Sequence, residues 1–234
     1  MFVLAGGFGT RLRSIVSDVP KPLAPVSGKP FISYLISHWV EQGINDFVFL
    51  LHYEAGQINA VLESMLADPK FSDVNFRSIV EGVPLGTGGS LLHAIKKLGT
   101  EDSFLVANAD TWLGSGVSEL CRVPPCALTA VNVPNSQRYG ALRFEGTKIT
   151  VFEEKSSSVQ EGFVNSGLYH LSPEIFDGEE VGSPFSLEES IFPRLVASRA
   201  LSLVKLDDRF IDIGVPSDYL QFCDFIESGG KSEI

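Results

Sequence analysis

The sequence is short of cysteine and contains no long hydrophobic run, and each shortage excludes a class of protein. Its three cysteines, Cys121, Cys126 and Cys223, form no CxxC pair, which disfavours a disulfide framework and a cysteine zinc site. No apolar stretch approaches the ~20 residues that a membrane helix needs. No basic segment precedes a hydrophobic one at the start of the chain, so we expect no secretory leader, no membrane partner and a cytoplasmic location.

Basic residues are also scarce, with 18 Lys and Arg against 29 Asp and Glu and a net charge of −11. This balance disfavours a nucleic-acid partner, because a phosphate backbone attracts positive charge. The first thirty residues reverse it, since Arg11, Arg13, Lys21 and Lys29 face a single acid, Asp18. A basic start on an acidic chain indicates a small anionic ligand, and an uneven surface charge explains the same pattern equally well.

Short apolar runs alternate with helical patterns through the first half of the chain. Strands are predicted over 2–5, 46–51, 74–80 and 103–107, and helices over 31–42, 58–66 and 88–98. This alternation predicts a mostly parallel sheet with helices on both faces.

The second half begins with strand patterns that have no helix between them. These runs lie near 126–133, 139–144, 147–154 and 163–171, and we expect hairpins or additions to the sheet edge. Helices are predicted again over 186–197 and 216–227, followed by a frayed tail at 229–234. The whole pattern predicts one α/β domain.

Ligands of open α/β sheets bind beyond the carboxyl ends of the strands, where this chain carries GGFGTRLR, NAD and DIG. The glycines of the first loop allow close backbone approach, but the loop fits neither GxxxxGK[ST] nor GxGxxG. Asp110 and Asp212 each follow a strand end. As a pair they could share a hard cation such as Mg²⁺, whereas singly each is expected to be a turn or capping residue.

Two further loops carry candidate ligand contacts. The proline-rich segment 19–31 is rigid and would hold Lys21 in place, although a stiff surface connector has the same composition. The segment EGVPLGTGGSLLHA, 81–94, opens a helix, where exposed backbone amides could hydrogen-bond a planar base edge and Gly88 and Gly89 would let that base approach. A plain helix N-terminal turn is the alternative for this second loop.

Taken in order, LAGGFGTRL, PKPLAPVSGKP, PLGTGG, NAD, FEEK, NSGLY and DIGVPSDY resemble the sugar-1-phosphate nucleotidyltransferases over nearly the whole chain. The resemblance implies a Rossmann-like three-layer α/β/α sandwich with a mixed central sheet and a small antiparallel lobe. It implies a single domain in which 1–113 bind mainly the nucleotide and 114–228 mainly the sugar phosphate. The reaction implied is transfer of a nucleoside monophosphate to a sugar 1-phosphate, with Mg²⁺ as cofactor and pyrophosphate released.

The resemblance also assigns roles to residues. Arg11 would hold the leaving pyrophosphate, Lys21 the α-phosphate, and Asp110 with Asp212 the Mg²⁺ ion. The residues expected to bind the nucleotide are Leu4, Ala5, Gly6, Gly7, Gly9, Thr10, Glu81, Pro84, Gly86, Thr87, Gly88 and Asn108. Those expected to bind the sugar phosphate are Tyr139, Gly140, Glu154, Lys155, Asn165 and Gly167. The chain departs from the family pattern in having NAD for NGD and no proline after Lys155.

Within the family, RYG at 138–140, VFEEK and FIDIGVPSDY are most similar to members that use GTP and a heptose 1-phosphate. Mannose-1-phosphate guanylyltransferases and muramate-1-phosphate uridylyltransferases share most of the motifs, so the base and the sugar stay open. Two other classes are weighed, a glycosyltransferase and a non-catalytic nucleotide-sugar-binding relative. Arg11, and the single acid of NAD where a glycosyltransferase typically has DxD, disfavour the first class. The presence of Arg11, Lys21 and both aspartates disfavours the second. The oligomeric state is open, and a homodimer is one expectation. Whether the native N-terminus lies upstream of Met1 is also open.

Overall fold

The computed structural model describes residues 1–7, 9, 11–12, 15–16, 19–153 and 160–230. The α-helices in these ranges are α1 (Phe31–Glu41), α2 (Ala55–Leu66), α3 (Gly86–Leu98), α4 (Val117–Cys121), α5 (Phe192–Ala197) and α6 (Pro216–Glu227). The strands are β1 (Phe2–Leu4), β2 (Pro25–Val26), β3 (Lys29–Pro30), β4 (Asp46–Leu51), β5 (Asn75–Val80), β6 (Phe104–Asn108), β7 (Thr111–Leu113), β8 (Ala127–Val133), β9 (Ala141–Glu145), β10 (Lys148–Glu153), β11 (Gly162–Leu171), β12 (Ser202–Leu206) and β13 (Phe210–Asp212). A π-helical turn, Leu187–Ile191, leads into α5. None of the helices in the described ranges is long and apolar enough to cross a membrane.

The chain divides into two compact units, each built from separate stretches of sequence. The N-terminal unit comprises Val3–Val80, Asn108–Leu113 and Arg209–Ile234. The central unit comprises Met1–Phe2, Glu81–Ala107 and Gly114–Asp208.

The N-terminal unit contains strands in the order β5-β4-β1, with β4 and β5 parallel and in register from Asp46 opposite Asn75 to Leu51 opposite Val80. Helix α1 forms because its apolar residues recur at helical spacing, and it buries Phe31, Leu35 and Trp39 among others. Two short antiparallel pairs complete this unit, β2 with β3 and β7 with β13. The first is joined by a two-residue turn in which both residues have positive φ, Ser27 and Gly28.

The central unit contains strands in the order β6-β11-β8-β12-β10-β9. Strand β8 runs parallel to β12 and antiparallel to β11, so the sheet is mixed, as expected for the α/β fold. The expected hairpin of β9 and β10 is present, with Glu145 opposite Lys148.

The prediction that the strands near 126–133 and 163–171 are hairpins or edge additions is wrong. Strand β8 lies between β11 and β12, and β11 lies between β6 and β8. Their residues are buried along most of their length, and a strand covered on both faces stays inside a sheet. Glycine marks a break in this pairing, since Gly167 has φ +78 and the register of β11 on β8 shifts between Asn165 and Tyr169.

Candidate functional site

A three-residue charge cluster forms in the N-terminal unit. The ammonium of Lys21 donates to Asp110 Oδ2 at 2.7 Å and to Asp212 Oδ1 at 3.2 Å. The Lys21 side chain is 9% exposed, whereas the two carboxylates are 38% and 22% exposed. The buried partner is thus the cation, and the two anions face solvent in part.

The pairing of β7 with β13 places the two aspartates side by side. Thr111 lies opposite Asp212 in this ladder, and the amide of Ile213 donates to the carbonyl of Asp110 at 3.0 Å. Asp110 is the residue immediately before β7, so the register sets its carboxylate next to that of Asp212. A ladder of three residue pairs therefore assembles both predicted metal ligands from positions about a hundred residues apart in the sequence.

Lys21 is held by a rigid stretch of backbone. It begins a 3₁₀ turn, Lys21–Leu23, in which Pro22 and Leu23 are buried. The β2–β3 hairpin that follows is tied down by two phenols, since Tyr34 donates to the carbonyl of Val26 at 3.0 Å and Tyr219 donates to that of Pro25. Pro22 has a fixed φ, and the two hydrogen bonds restrain the hairpin four and five residues after Lys21.

The electrostatics of the cluster set each protonation state. Burial alone lowers the pKa of Lys21, but attraction to Asp110 and Asp212 outweighs it and the pKa is raised. Burial raises the pKa of the Asp110 carboxyl, and the Lys21 ammonium reverses this and holds that pKa below its usual value of 3.8. The pKa of Asp212 is raised by burial and by the charge of Asp110, with Lys21 offsetting only part of the effect.

Two glycines leave room for this cluster. Gly9 has φ +59, and a Cβ there would lie 2.8 Å from the Cβ of Lys21. Gly214 donates its amide to Asp212 Oδ1 at 2.8 Å, and a Cβ there would lie 2.9 Å from the same oxygen. Gly9 is a predicted site residue, and the structure sets it directly against Lys21. Gly214 is one that sequence reasoning missed, and its place two residues after Asp212 is the signal that could have found it.

The remaining predicted residues of the first loop are only partly assembled around Lys21. Leu4 and Ala5 form main-chain bonds in the sheet region, with Ala109 donating to the Leu4 carbonyl and Ala5 donating to that of Leu50. Gly6 lies against His52, whose Cβ is 3.4 Å from where a Gly6 Cβ would be, while Gly7 and Arg11 are exposed. Asn108 is half-buried at the end of β6. Thr10 lies outside the described residues.

The donor set of the cluster fits a hard divalent cation. Asp110 and Asp212 offer two carboxylates at one point, and Mg²⁺ in proteins takes one or two carboxylates and fills its other positions with water and phosphate oxygens. The described part of the chain contains no group of three or more His, Cys, Asp or Glu side chains that could hold a metal by themselves. An ion held by these two carboxylates would take its remaining ligands from water or from phosphate oxygens.

The second glycine loop, in the central unit, is packed against the segment 183–189. Gly86 has φ +71, and a Cβ there would lie 2.6 Å from the carbonyl oxygen of Phe185. The amides of Gly88 and Gly89 both donate to that same carbonyl, at 3.0 and 3.2 Å, so these two amides are not donors for a base edge. These glycines permit close contact with Phe185, which sequence reasoning did not associate with this loop.

Two carboxylates hold this loop in shape. Glu81 is buried and accepts from the Leu85 amide at 3.1 Å and from the Ser90 hydroxyl. Glu188 accepts from the hydroxyls of Thr87 and Ser186, each at 2.7 Å. Pro84 is exposed at the tip of the loop. Glu188 is a second residue that sequence reasoning missed.

The predicted sugar-phosphate residues of the central unit form a smaller set. The Asn165 amide donates to the carbonyl of Gly140 at 3.0 Å, and the Asn165 side chain donates to the Tyr169 hydroxyl at 2.9 Å. The oxygen of the Asn165 side chain accepts from the Gly167 amide at 3.1 Å, which fixes the bulge in β11. Tyr139 is half-buried, and its hydroxyl accepts from Arg138 at 2.7 Å. Glu154 and Lys155 lie outside the described residues.

Known proteins with similar sequences identify the family of this chain. Residues 1–229 match the family described as nucleotidyl transferase. The D-glycero-alpha-D-manno-heptose 1-phosphate guanylyltransferase of Campylobacter jejuni is 31% identical over 221 residues, which are 94% of this chain and 96% of that one. The mannose-1-phosphate guanyltransferase 2 of Candida glabrata is 33% identical over 93% of this chain, which spans 62% of the length of that relative.

A solved structure agrees with the fold. The crystal structure of HddC from Yersinia pseudotuberculosis complexed with GMP-PN superposes with a TM-score of 0.81 at 31% identity. The match covers 96% of this chain and 98% of that one. The expected mixed α/β fold is therefore confirmed over nearly the entire chain.

Proposed function

Since this chain belongs to the nucleotidyl transferase family, we propose that it transfers GMP from GTP to D-glycero-α-D-manno-heptose 1-phosphate and releases pyrophosphate. The observation that carries the proposal is the Lys21 ammonium held between Asp110 and Asp212. A buried cation beside two carboxylates suits a phosphoryl-transfer site, where charge must be positioned and neutralised. The heptose 1-phosphate and the guanine are supported by the Campylobacter relative, which matches along nearly its whole length.

The reaction is an in-line displacement at phosphorus. A phosphate oxygen of the sugar 1-phosphate attacks the α-phosphorus of GTP and forms a new P–O bond. The bond between the α-phosphorus and the oxygen bridging to the β-phosphate breaks, and its electron pair leaves with pyrophosphate. Because the attacking oxygen is already an anion, no general base is needed, and the protein contributes positioning and charge.

The chain's own groups divide this work. Lys21 would turn from the aspartates to the α-phosphate and neutralise the charge that grows there, while the exposed Arg11 would bind the leaving pyrophosphate. Asp110 and Asp212 would hold Mg²⁺, which supplies additional positive charge to the phosphate oxygens when bound. Gly6, Gly7 and Gly9 carry no side chains and leave the backbone open to the triphosphate.

The other substrate contacts follow from the same proposal. The loop 81–88, shaped by Glu81 and Glu188, would bind the guanine, with contacts from the exposed residues Pro84 and Gly86 rather than from the Gly88 amide. In the central unit, Tyr139, Gly140, Asn165 and Gly167 would contact the sugar, together with Glu154 and Lys155. We infer that the chain acts in the cytoplasm as a homodimer. The GDP-sugar that it makes would be used in the synthesis of surface polysaccharide.

Mannose 1-phosphate is a second candidate for the sugar substrate. The Candida relative, whose name specifies that substrate, is 33% identical to this chain, similar to the 31% of the Campylobacter enzyme. The two sugars differ by one carbon, and a pocket distinguishes such analogues by only ~1–3 kcal/mol. Direct measurement must therefore separate them.

Release of pyrophosphate tests the function. Purified chain is given each of the four nucleoside triphosphates with heptose, mannose, glucose and muramate 1-phosphates, in Mg²⁺ buffer. We expect the highest kcat/KM for GTP with the heptose 1-phosphate. A preference for mannose 1-phosphate would replace the substrate, and absence of pyrophosphate from every pair, with folded protein, would contradict transferase activity altogether.

A further inference from the structure

The ammonium of Lys21 lies where a bridging cation would be bound by Asp110 and Asp212. We propose that Lys21 and the divalent cation compete for these two carboxylates, so that the free chain binds the cation weakly until a phosphate draws the ammonium away. This inference rests on the proposed function for the identity of that phosphate. The competition itself rests on the contacts of Lys21 alone.

The contacts show why binding of the two cations is competitive. Lys21 touches one oxygen of each carboxylate, Oδ2 of Asp110 at 2.7 Å and Oδ1 of Asp212 at 3.2 Å. A divalent cation shared by the same two side chains requires direct contact with their oxygens. A cation bound through the two oxygens that Lys21 contacts would enter the volume that the ammonium fills. A cation bound through the other oxygen of each carboxylate would still lie near the ammonium, and two positive charges close together repel strongly in a partly buried site.

Movement of the Lys21 ammonium away from the two aspartates is also unfavourable in the absence of another anion. Its side chain is only 9% exposed, so departure from the aspartates without a new anion would leave a buried charge unpaired. The backbone is restrained by Pro22 and, in the following hairpin, by the Tyr34 and Tyr219 hydrogen bonds, which disfavours a movement of the turn that would carry the charge away. A triphosphate supplies the missing anion, and its oxygens also complete the coordination of the cation. The nucleotide and the cation would then bind together, each favouring the other.

Direct binding of Mn²⁺ to the chain without nucleotide tests the competition. Free Mn²⁺ is measured by electron paramagnetic resonance during titration of wild type, Lys21→Met and Lys29→Met. Lys29 is the matched control, because it lies in the same proline-rich segment but is exposed. We expect Lys21→Met to bind Mn²⁺ more tightly than wild type by on the order of 10-fold, within the usual range of coupling between sites. Lys29→Met should match wild type.

Two further variants separate the loss of competition from a loss of folding. Lys21→Gln keeps a polar side chain and should show the same gain, which covers the case in which Lys21→Met fails to fold, and circular dichroism establishes folding. Adding Asp212→Asn to Lys21→Met should abolish the gain, because it removes one of the two ligands. Equal affinity of folded Lys21 variants and wild type, or no measurable binding to either, overturns the proposal. Inactivity of the wild type towards every substrate pair would instead refute the proposed function and leave the Mn²⁺ result intact.

Discussion

The amide of Gly214 holds the carboxylate of Asp212, with 2.8 Å between the nitrogen and Oδ1. A Cβ on Gly214 would lie 2.9 Å from that oxygen and 3.1 Å from Nζ of Lys21. The φ of Gly214 lies outside the positive range, so alanine meets no backbone strain there, and only the charged groups would have to move. A substitution at Gly214 therefore tests the geometry of the charge cluster without straining the backbone.

We predict that Gly214→Ala lowers kcat by on the order of 10- to 10²-fold, because a displacement near 1 Å at a reacting site has costs of that size. The free energy of unfolding should change by less than ~1 kcal/mol, since the groups displaced are the ends of flexible side chains. Steady-state pyrophosphate release and urea unfolding measure the two effects. Gly56→Ala, in open space on α2, is the control and should leave kcat unchanged. A stable Gly214→Ala with normal kcat would show that the carboxylate tolerates displacement.

Lys21→Ala should lower turnover by on the order of 10²–10³, the usual effect of losing one group that stabilises charge in the transition state. Lys21 supplies the positive charge of this three-residue cluster, and alanine leaves Asp110 and Asp212 without it. Lys29→Ala provides the comparison, because this exposed lysine lies on the same loop. Turnover is measured at saturating concentrations of both substrates, and a folded Lys21→Ala with near-normal turnover would remove Lys21 from the chemistry.

Asp110→Asn should lower the pKa of Asp212. In the wild type that pKa is raised above 3.8, by burial first and then by the negative charge of Asp110, while Lys21 acts in the opposite direction. Asparagine removes the raising charge and leaves the lowering one, so the carboxylate of Asp212 stays ionised to lower pH. Titration followed by carboxyl ¹³C NMR measures the pKa in both proteins. Asp224→Asn, an exposed change on α6, should leave it unmoved, and an unchanged or higher value in Asp110→Asn would contradict the coupling.

Glu188→Ala should destabilise the chain by ~1–3 kcal/mol, because the hydroxyls of Thr87 and Ser186 lose a charged hydrogen-bond acceptor. The same change should raise KM for GTP and leave KM for the sugar phosphate nearly unaltered, since it loosens the loop proposed to bind the base. Glu189→Ala removes a neighbouring exposed carboxylate and is the control for both effects. If Glu188→Ala shifts both KM values equally, the loop has no specific connection with the nucleotide.

The sequence predicted the long elements well and the short ones poorly. Strand β4 and helix α6 have the predicted bounds, and α1 ends one residue early. Helix α2 begins three residues before its predicted start, because Glu54 precedes it with φ 52 and offers no capping signal in the sequence. Strands β7 and β13 have three residues each and show no alternation, so only their mutual pairing reveals them. The β2–β3 pair was hidden by Pro25 and Pro30, which lie opposite each other.

The sequence indicated the candidate residues of the site but not the contacts between them. Lys21, Asp110 and Asp212 were candidates from their local segments, and the family resemblance implied their roles, yet 89 and 191 residues separate Lys21 from its two partners. No local pattern encodes contacts of that range. The same holds for Phe185, whose carbonyl takes the Gly88 and Gly89 amides from about a hundred residues away. The roles assigned to all the site residues stay predictions, and Thr10, Glu154 and Lys155 also lie outside the described residues.

The β7–β13 ladder determines when the charge cluster can form during synthesis of the chain. Asp212 belongs to a strand of residues 210–212, so a growing chain carries Lys21 and Asp110 long before their third partner is synthesised. Until then β7 lacks the partner strand that sets the place of Asp110, and the second carboxylate needed to share a cation is missing. The charge cluster can therefore close only after residues 210–212 have been synthesised.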